Sequence, residues 1–215
     1  MTNILAFETS CDDTSVAVVN SAYQVLSNVV SSQATHAGFG GVVPELASRM
    51  HLQNIVHLTR TALQLAELDL AAVSAVAVSV NPGLIGALLV GVSFAKSLAY
   101  GLGIPIIAVN HMIGHINAIK LSNPELLPPY LALVVSGGHT ELVDFRTETD
   151  FDIVGRTRDD AAGEAFDKIA QLMGLGYPGG ARIDKLAAEG DGDFVTFPRG
   201  MNRKGNFDFS FSGFK

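Results

Sequence analysis

The chain has 215 residues, 48% of them hydrophobic and 16% charged, enough for a sizeable core as one large domain or two small ones. That composition excludes the disordered and fibrous classes. The net charge is -7, with no block of like charge and no tryptophan, which argues against a self-sufficient nucleic-acid binder with its basic face. A nucleic-acid substrate would need local patches or a basic partner.

Cys11 is the only cysteine, so neither a disulfide nor a cysteine-type zinc site forms within the chain. The N-terminus, MTNILAFETS, lacks the basic flank and long apolar run of a signal peptide. The longest apolar stretch, Gly83 to Ala95, stops at Lys96, too short to span a bilayer. These features predict a cytoplasmic protein with no membrane partner.

In chain order, ILAF begins a strand, SVAVVN reads as the next and QVLSNVVSS as a third. Pro44 opens a long amphipathic helix, in which Leu46, Met50, Ile55, Leu58, Ala62 and Leu65 recur at helical spacing. AVSAVAVSV is a buried-type strand, followed by a Gly-rich apolar helix and the strand IPIIAVN. A three-strand meander followed by alternating elements implies an α/β layer with helices on a mixed sheet.

The pattern then restarts. Aligned without gaps, the segments from Ile4 and from Tyr130 share Leu, Ala, Ser and Thr at the same offsets, and both read strand, polar turn, strand. FDIVGRT supplies a third strand and AGEAFDKIAQLMGL a helix. This predicts two related lobes, residues 1–122 and 130–215, joined by the Pro-rich connector Asn123–Pro129. The second lobe lacks the strand-helix-strand-helix tail of the first. Two hairpins facing each other across a cleft suit phosphate binding, with the ligand between the lobes.

Four stretches carry candidate chemistry. In NHMIGHINAIK, His111 and His115 are four residues apart; in a helix capped by Asn110 they share a face at about 5–6 Å, within reach of one ion. A zincin would have Glu after the first histidine, where this chain has Met112. The alternative is a pair of polar or core-satisfied histidines. In VVSGGHT (Val134 to Thr140) the Ser-Gly-Gly turn permits close approach of backbone to a phosphate; the alternative is an ordinary hairpin. In ETSCDDT (Glu8 to Thr14), Glu8, Asp12 and Asp13 could hold a cation or orient a nucleophile, or could be a solvated Asp-rich turn, with Cys11 small and inert. In DDAAGEAFDKIAQLMG, acids at a helix start suit the dipole. Functionally, Asp167 could accept from ribose hydroxyls, while YPGGARID brings Gly180 and Asp184 near a flat base. His51 and His57 read as packing or surface residues.

Together these motifs resemble one family, the tRNA threonylcarbamoyladenosine-forming proteins, TsaD in bacteria, long labelled O-sialoglycoprotein endopeptidases. The resemblance runs through ETSCDDT, GGVVPELASRMH, NPGLIGALLVG, NHMIGH, VVSGGHTEL, DDAAGEAFDK, YPGG and FSFSG. It implies the ASKHA fold (acetate and sugar kinases, Hsp70, actin) of two ribonuclease H-like lobes, the second incomplete here. The implied reaction moves a threonylcarbamoyl group from threonylcarbamoyl-AMP to N6 of the adenosine 3′ of the anticodon, in tRNAs reading codons that begin with A. By the same resemblance, His111 and His115 are two ligands of one iron or zinc ion per subunit. Val134, Val135, Ser136, Gly137 and Gly138, with Asp167, Gly180 and Asp184, form the adenylate-binding set, and Asp12 and Asp13 are an acidic pair near the reactive carbonyl. Implied partners are tRNA, a TsaB-like paralogue and a TsaE-like ATPase.

The chain departs from the family at Asp13, where Glu is usual, and at Asn81, where Gly is usual. Family members run on for about a hundred further residues, expected to supply an aspartate as third ligand, so this chain alone is expected to bind metal weakly and turn over little. Three other readings compete, one of them a sugar or acetate kinase of the same fold, for which no acceptor pocket can be read. A metalloprotease, suggested by the older label, lacks its base in HMIGH; a non-catalytic TsaB-like scaffold fits the length but would lack the histidine pair.

Overall fold

The structure, a computed structural model, describes residues 2–197, 199–201 and 203–215. The chain divides into two compact units, Met1–Gly114 and His115–Lys215.

In the first unit, β1 (Asn3–Glu8), β2 (Asp13–Asn20) and β3 (Val25–Ser32) form an antiparallel meander. α1 (Pro44–Leu65), β4 (Ala75–Asn81), α2 (Ile85–Leu102) and β5 (Ile106–Asn110) follow. The sheet order is β3-β2-β1-β4-β5, with β1–β4 and β4–β5 parallel: the mixed sheet that the alternation of elements predicts.

Period-2 alternation puts Leu5 and Phe7 of β1 and Val16 and Val18 of β2 on the buried side, where they meet Val76 and Val78. The helices supply Ile55, Leu58, Ala62, Ala95 and Ala99 to the same core. Each large aliphatic side chain removed from water there stabilises by about 1.5–3 kcal/mol. The buried stripe of α1 differs from the expected one at its edges. Leu65 is exposed, and Ala47, His51, Thr59 and Leu63 are buried instead, because the stripe faces both the sheet and α2.

α2 buries Ala87, Gly91, Ala95 and Ala99, a row at i,i+4 spacing. Close packing is why the row is small: a Cβ on Gly91 would sit 2.3 Å from Thr9 Oγ1. Helix α2 also corrects the membrane argument, since it runs past the exposed Lys96 to 18 residues. Among the described residues it is the one helix long and apolar enough to cross a membrane by length and composition. Its small-residue face packs against β4 and α1.

α3 (His111–Asn117) follows β5 directly, and the boundary between the units falls inside it. In the second unit, β6 (Tyr130–Val135), β7 (Thr140–Phe145) and β8 (Phe151–Arg156) form an antiparallel sheet in that order, followed by α4 (Ala162–Leu172) and α5 (Gly180–Ala187). Phe145 is fully buried and stacks on Tyr130 and Phe151, each at 5.0 Å between ring centroids. β8 starts as far from Tyr130 as β3 starts from Ile4, so the internal repeat extends to the third strand.

Candidate active site

In parallel sheets, loops that meet ligands leave the carboxyl ends of the strands. β1 ends at Glu8, β4 at Asn81 and β5 at Asn110, and the order β1-β4-β5 makes these ends neighbours. Glu8 therefore meets residues far away in sequence. Its Oε2 accepts from Ser79 Oγ and from His111 Nδ1, the latter at 3.0 Å, and its Oε1 accepts the Ser10 N–H at 2.5 Å. Ser10 Oγ lies 3.2 Å from His111 Nδ1. Burial works to raise the Glu8 carboxyl, but the hydrogen bonds from His111, Ser10 and Ser79 outweigh it and hold the group at about 2. Near neutral pH, Glu8 is a carboxylate that only accepts.

Asn110 caps α3: its Oδ1 accepts from the Met112 N–H at 2.9 Å and the Ile113 N–H at 3.2 Å. The helix carries His111, half-buried, and His115, exposed. The two imidazoles are suitable donors for iron or zinc, yet they are fewer than the three protein ligands of a site with an open position. Among the described residues, no three His, Cys, Asp or Glu side chains are grouped to hold a metal ion.

The β1–β2 turn presents Asp12, half-buried, and Asp13, exposed at the start of β2. Cys11 is exposed at this turn; desolvation and then the neighbouring Asp12 push its thiol up to about 12, which disfavours the thiolate near neutral pH. His51 is fully buried beneath this turn. Its Nε2–H donates to Cys11 O at 2.9 Å and its Nδ1 accepts from Thr14 Oγ1 at 2.7 Å, while His57 is exposed.

In the second unit, the β6–β7 hairpin turn is closed by Ser136 N–H to His139 O at 2.8 Å and by His139 N–H to Ser136 Oγ at 3.0 Å. Gly137 and Gly138 are exposed with nothing within 4 Å of where a Cβ would stand, so a ligand can approach the main chain. The turn rests on the start of α4. Gly163 N–H donates to Ser136 O at 3.1 Å, and Ala162 N–H donates to Thr140 Oγ1 at 2.9 Å. A Cβ on Gly163 would stand 2.7 Å from Ser136 O, so only glycine fits.

One turn further along α4, Asp167 Oδ1 accepts the Gly179 N–H at 2.8 Å, holding the YPGG turn and the start of α5 at Gly180. One oxygen of the carboxylate assigned to ribose is thus engaged internally. Asp184 is exposed in the second half of α5. Val134 is buried and Val135 exposed, and with Ser136 and His115 they line a groove of about 540 Å³. The walls of that groove are mostly apolar, including Leu131 and Leu133.

Sequence reasoning missed Ser79, which nothing marks except its place near the end of a buried strand. It also missed Asp159 and Asp208, which bind the segment after α5. Asp159 Oδ1 accepts from the Phe211 N–H at 2.8 Å and the Ser212 N–H at 3.2 Å, and Asp208 Oδ1 accepts from the Arg156 N–H at 3.1 Å. The acidic pair at Asp159 and Asp160, followed by an aromatic, Ser-rich tail, was the available signal.

The profile of the family described as TsaD, tRNA N6-adenosine threonylcarbamoyltransferase, matches residues 24–215. A protein of that description from Clostridium perfringens is 54% identical over 213 residues, 99% of this chain and 63% of the relative. Another, from Moorella thermoacetica, is 55% identical over 215 residues, 100% of this chain and 63% of the relative. The chain therefore spans about 63% of the length of these curated relatives. Among solved structures, the Lmo2764 protein of Listeria monocytogenes, a candidate N-acetylmannosamine kinase, superposes with TM-score 0.52 at 17% identity, covering 89% of this chain and 72% of its own. That likeness speaks for the fold, which is of the ASKHA, actin-like ATPase type. On the extent of the profile match and the chain-long identity, the chain belongs to the TsaD family of tRNA N6-adenosine threonylcarbamoyltransferases.

Proposed function

We propose that this chain forms the nucleotide-binding part of an enzyme that transfers a threonylcarbamoyl group from threonylcarbamoyl-AMP to N6 of the adenosine 3′ of the anticodon, in tRNAs reading codons that begin with A. The observation that carries this reading is the Ser136–Gly138 turn, open above its glycines and fixed to the start of α4 by Gly163. Most N–H groups of the turn are spent on holding its shape, and what it offers the phosphate of an adenylate is close approach to the open main chain at Gly137 and Gly138. Val134 to Gly138 seat that phosphate, and Asp167, Gly180 and Asp184 hold the ribose and base. Atoms balance simply. The N6 amine attacks the carbamoyl carbonyl carbon, the C–N bond forms, the C–O bond to AMP breaks, and N6 gives up one proton. Asp12 and Asp13, which correspond to the family's acidic pair, would orient the acceptor and take that proton.

His111 and His115 would hold a divalent ion, iron or zinc, as two of its ligands. When bound, such an ion supplies a Lewis acid for the carbonyl. tRNA, a TsaB-like paralogue and a TsaE-like ATPase are the proposed partners, and the cytoplasm the place. The net charge of -7 supports sharing tRNA binding with partners.

The test supplies threonylcarbamoyl-AMP, the two partners, ATP and unmodified tRNA, and reads N6-threonylcarbamoyladenosine by mass spectrometry. The chain is run beside a chimera completed with the part of the Moorella thermoacetica relative that it does not cover. Modification by the chimera, lost in Asp12→Asn, is expected. A chimera that binds the TsaB-like partner yet leaves tRNA unmodified would sink the transferase reading in favour of a scaffold.

A further inference from the structure

His111 Nδ1 faces the carboxylate of Glu8, 103 positions away in sequence. Three observations meet there. The carboxylate is immobilised by two independent donors, the Ser10 N–H on Oε1 and the Ser79 hydroxyl on Oε2. Oε2 also lies 3.0 Å from His111 Nδ1. The histidine's own position is fixed by the Asn110 cap at the start of α3. A carboxylate so placed accepts and cannot donate, so the nitrogen facing it must carry hydrogen.

We infer that Glu8 is a positioning residue for His111: it holds the imidazole as the Nδ1–H tautomer and so leaves Nε2 as the unprotonated, electron-pair-bearing nitrogen. Carboxylates that orient a ligating imidazole in this way raise its basicity and fix its plane. Ser79 acts one step further back, by clamping the same oxygen. Neither Glu8 nor Ser79 is among the residues to which the proposed reaction assigns a step. The consequence for a metal rests on the reading of His111 as a ligand; the tautomer itself does not.

Replacing Glu8 by glutamine makes the idea testable without removing volume. In Glu8→Gln the amide oxygen keeps the Ser10 N–H, which places the NH2 group where Oε2 stood, facing His111 Nδ1. A donor now faces that nitrogen, so the tautomer should invert to Nε2–H. The experiment is two-bond 1H–15N NMR on 15N-histidine-labelled 215-residue chain at about pH 8, above the ordinary imidazole range. The His111 signals are assigned by their loss in His111→Ala. Wild type is expected in the Nδ1–H form, Glu8→Gln in the Nε2–H form, and Ser79→Ala, which keeps the carboxylate, in the Nδ1–H form.

A wild-type chain in the Nε2–H form, or a Glu8→Gln chain unchanged in tautomer, would overturn the inference. If Glu8→Gln does not fold, Glu8→Ala, which removes the acceptor facing Nδ1, should lose the preference for Nδ1–H, and a preference kept in that variant would overturn the inference. A parallel titration with Zn2+ should show affinity about 10–100-fold weaker in Glu8→Gln. If the tautomer inverts while neither chain binds Zn2+, the positioning role stands and the metal reading fails.

Discussion

At the residue scale, His51 shows how a polar group is made part of a core. It is fully buried on α1, yet both ring nitrogens are satisfied, one by Cys11 O and one by Thr14 Oγ1. The ring therefore ties α1 to the β1–β2 turn that carries Asp12 and Asp13. His51→Leu would leave a carbonyl and a hydroxyl without partners in a dry place, at about 1–3 kcal/mol each. A loss of about 2–4 kcal/mol in urea unfolding is expected. Burial also holds the His51 imidazole below its ordinary range. As pH falls, the unfolded chain takes up this proton first, so the unfolded state is favoured. The contribution is fully present above about pH 6.5 and declines as pH drops through that value toward the lower folded one. In His51→Leu this component of the pH dependence of the urea midpoint should vanish; a variant that keeps the full slope would place its origin elsewhere.

At the scale of elements, the segment after α5 behaves as an added strand-like strap. Phe209 pairs with Thr157 in a parallel bridge, its N–H donating to Arg156 O at 3.0 Å while Arg158 N–H donates to Phe209 O at 2.9 Å. Asp159 fastens the end of the strap through Ser210, Phe211 and Ser212. The hydrogen bonds from Ser210 and then Phe211 lower the Asp159 carboxyl below the usual range. The strap's hold is thus present above about pH 3.9 and lost as pH falls through the lower folded value. NMR shifts of the Phe211 and Ser212 amides, followed from about pH 6 to about pH 2, should move together with the Asp159 carboxyl. Asp159→Asn should bring them toward disordered positions at all pH values, and unchanged shifts in that variant would show the strap held by other means. Sequence reading found the neighbouring elements because each announces itself locally: alternation marks β6 and β7, and the apolar row marks α4. The strap has neither period, so FDFSFSG was legible as a motif and not as a structure.

At the scale of the molecule, what the sequence could not disclose is proximity across it. Glu8, Ser79 and His111 meet only because β4 enters the sheet beside β1 and β5 beside β4, a choice of strand order that no local pattern encodes. The repeat of the meander was legible, since matched offsets and alternation sufficed. Its two copies nevertheless sit in different surroundings. β1 is bonded to β2 on one side and β4 on the other, and Leu5 and Phe7 are buried. β6 pairs with β7 alone among the described residues, and Leu131, Leu133 and Val135 are 55–59% exposed. The Ser136 N–H to His139 O bond sets the phase of the ladder, so the amides of Leu131, Leu133 and Val135 point to the unpaired edge. Hydrogen exchange should be fast at those three amides, slow at Ala132 and Val134, and slow throughout β1. An unpaired apolar edge is also a template for association. Leu133→Lys should lower the concentration-dependent self-association of the 215-residue chain, measured by sedimentation velocity, while leaving the protection of β1 unchanged. Equal self-association in that variant, or protection of all β6 amides in dilute wild type, would show that another surface or another partner covers this edge.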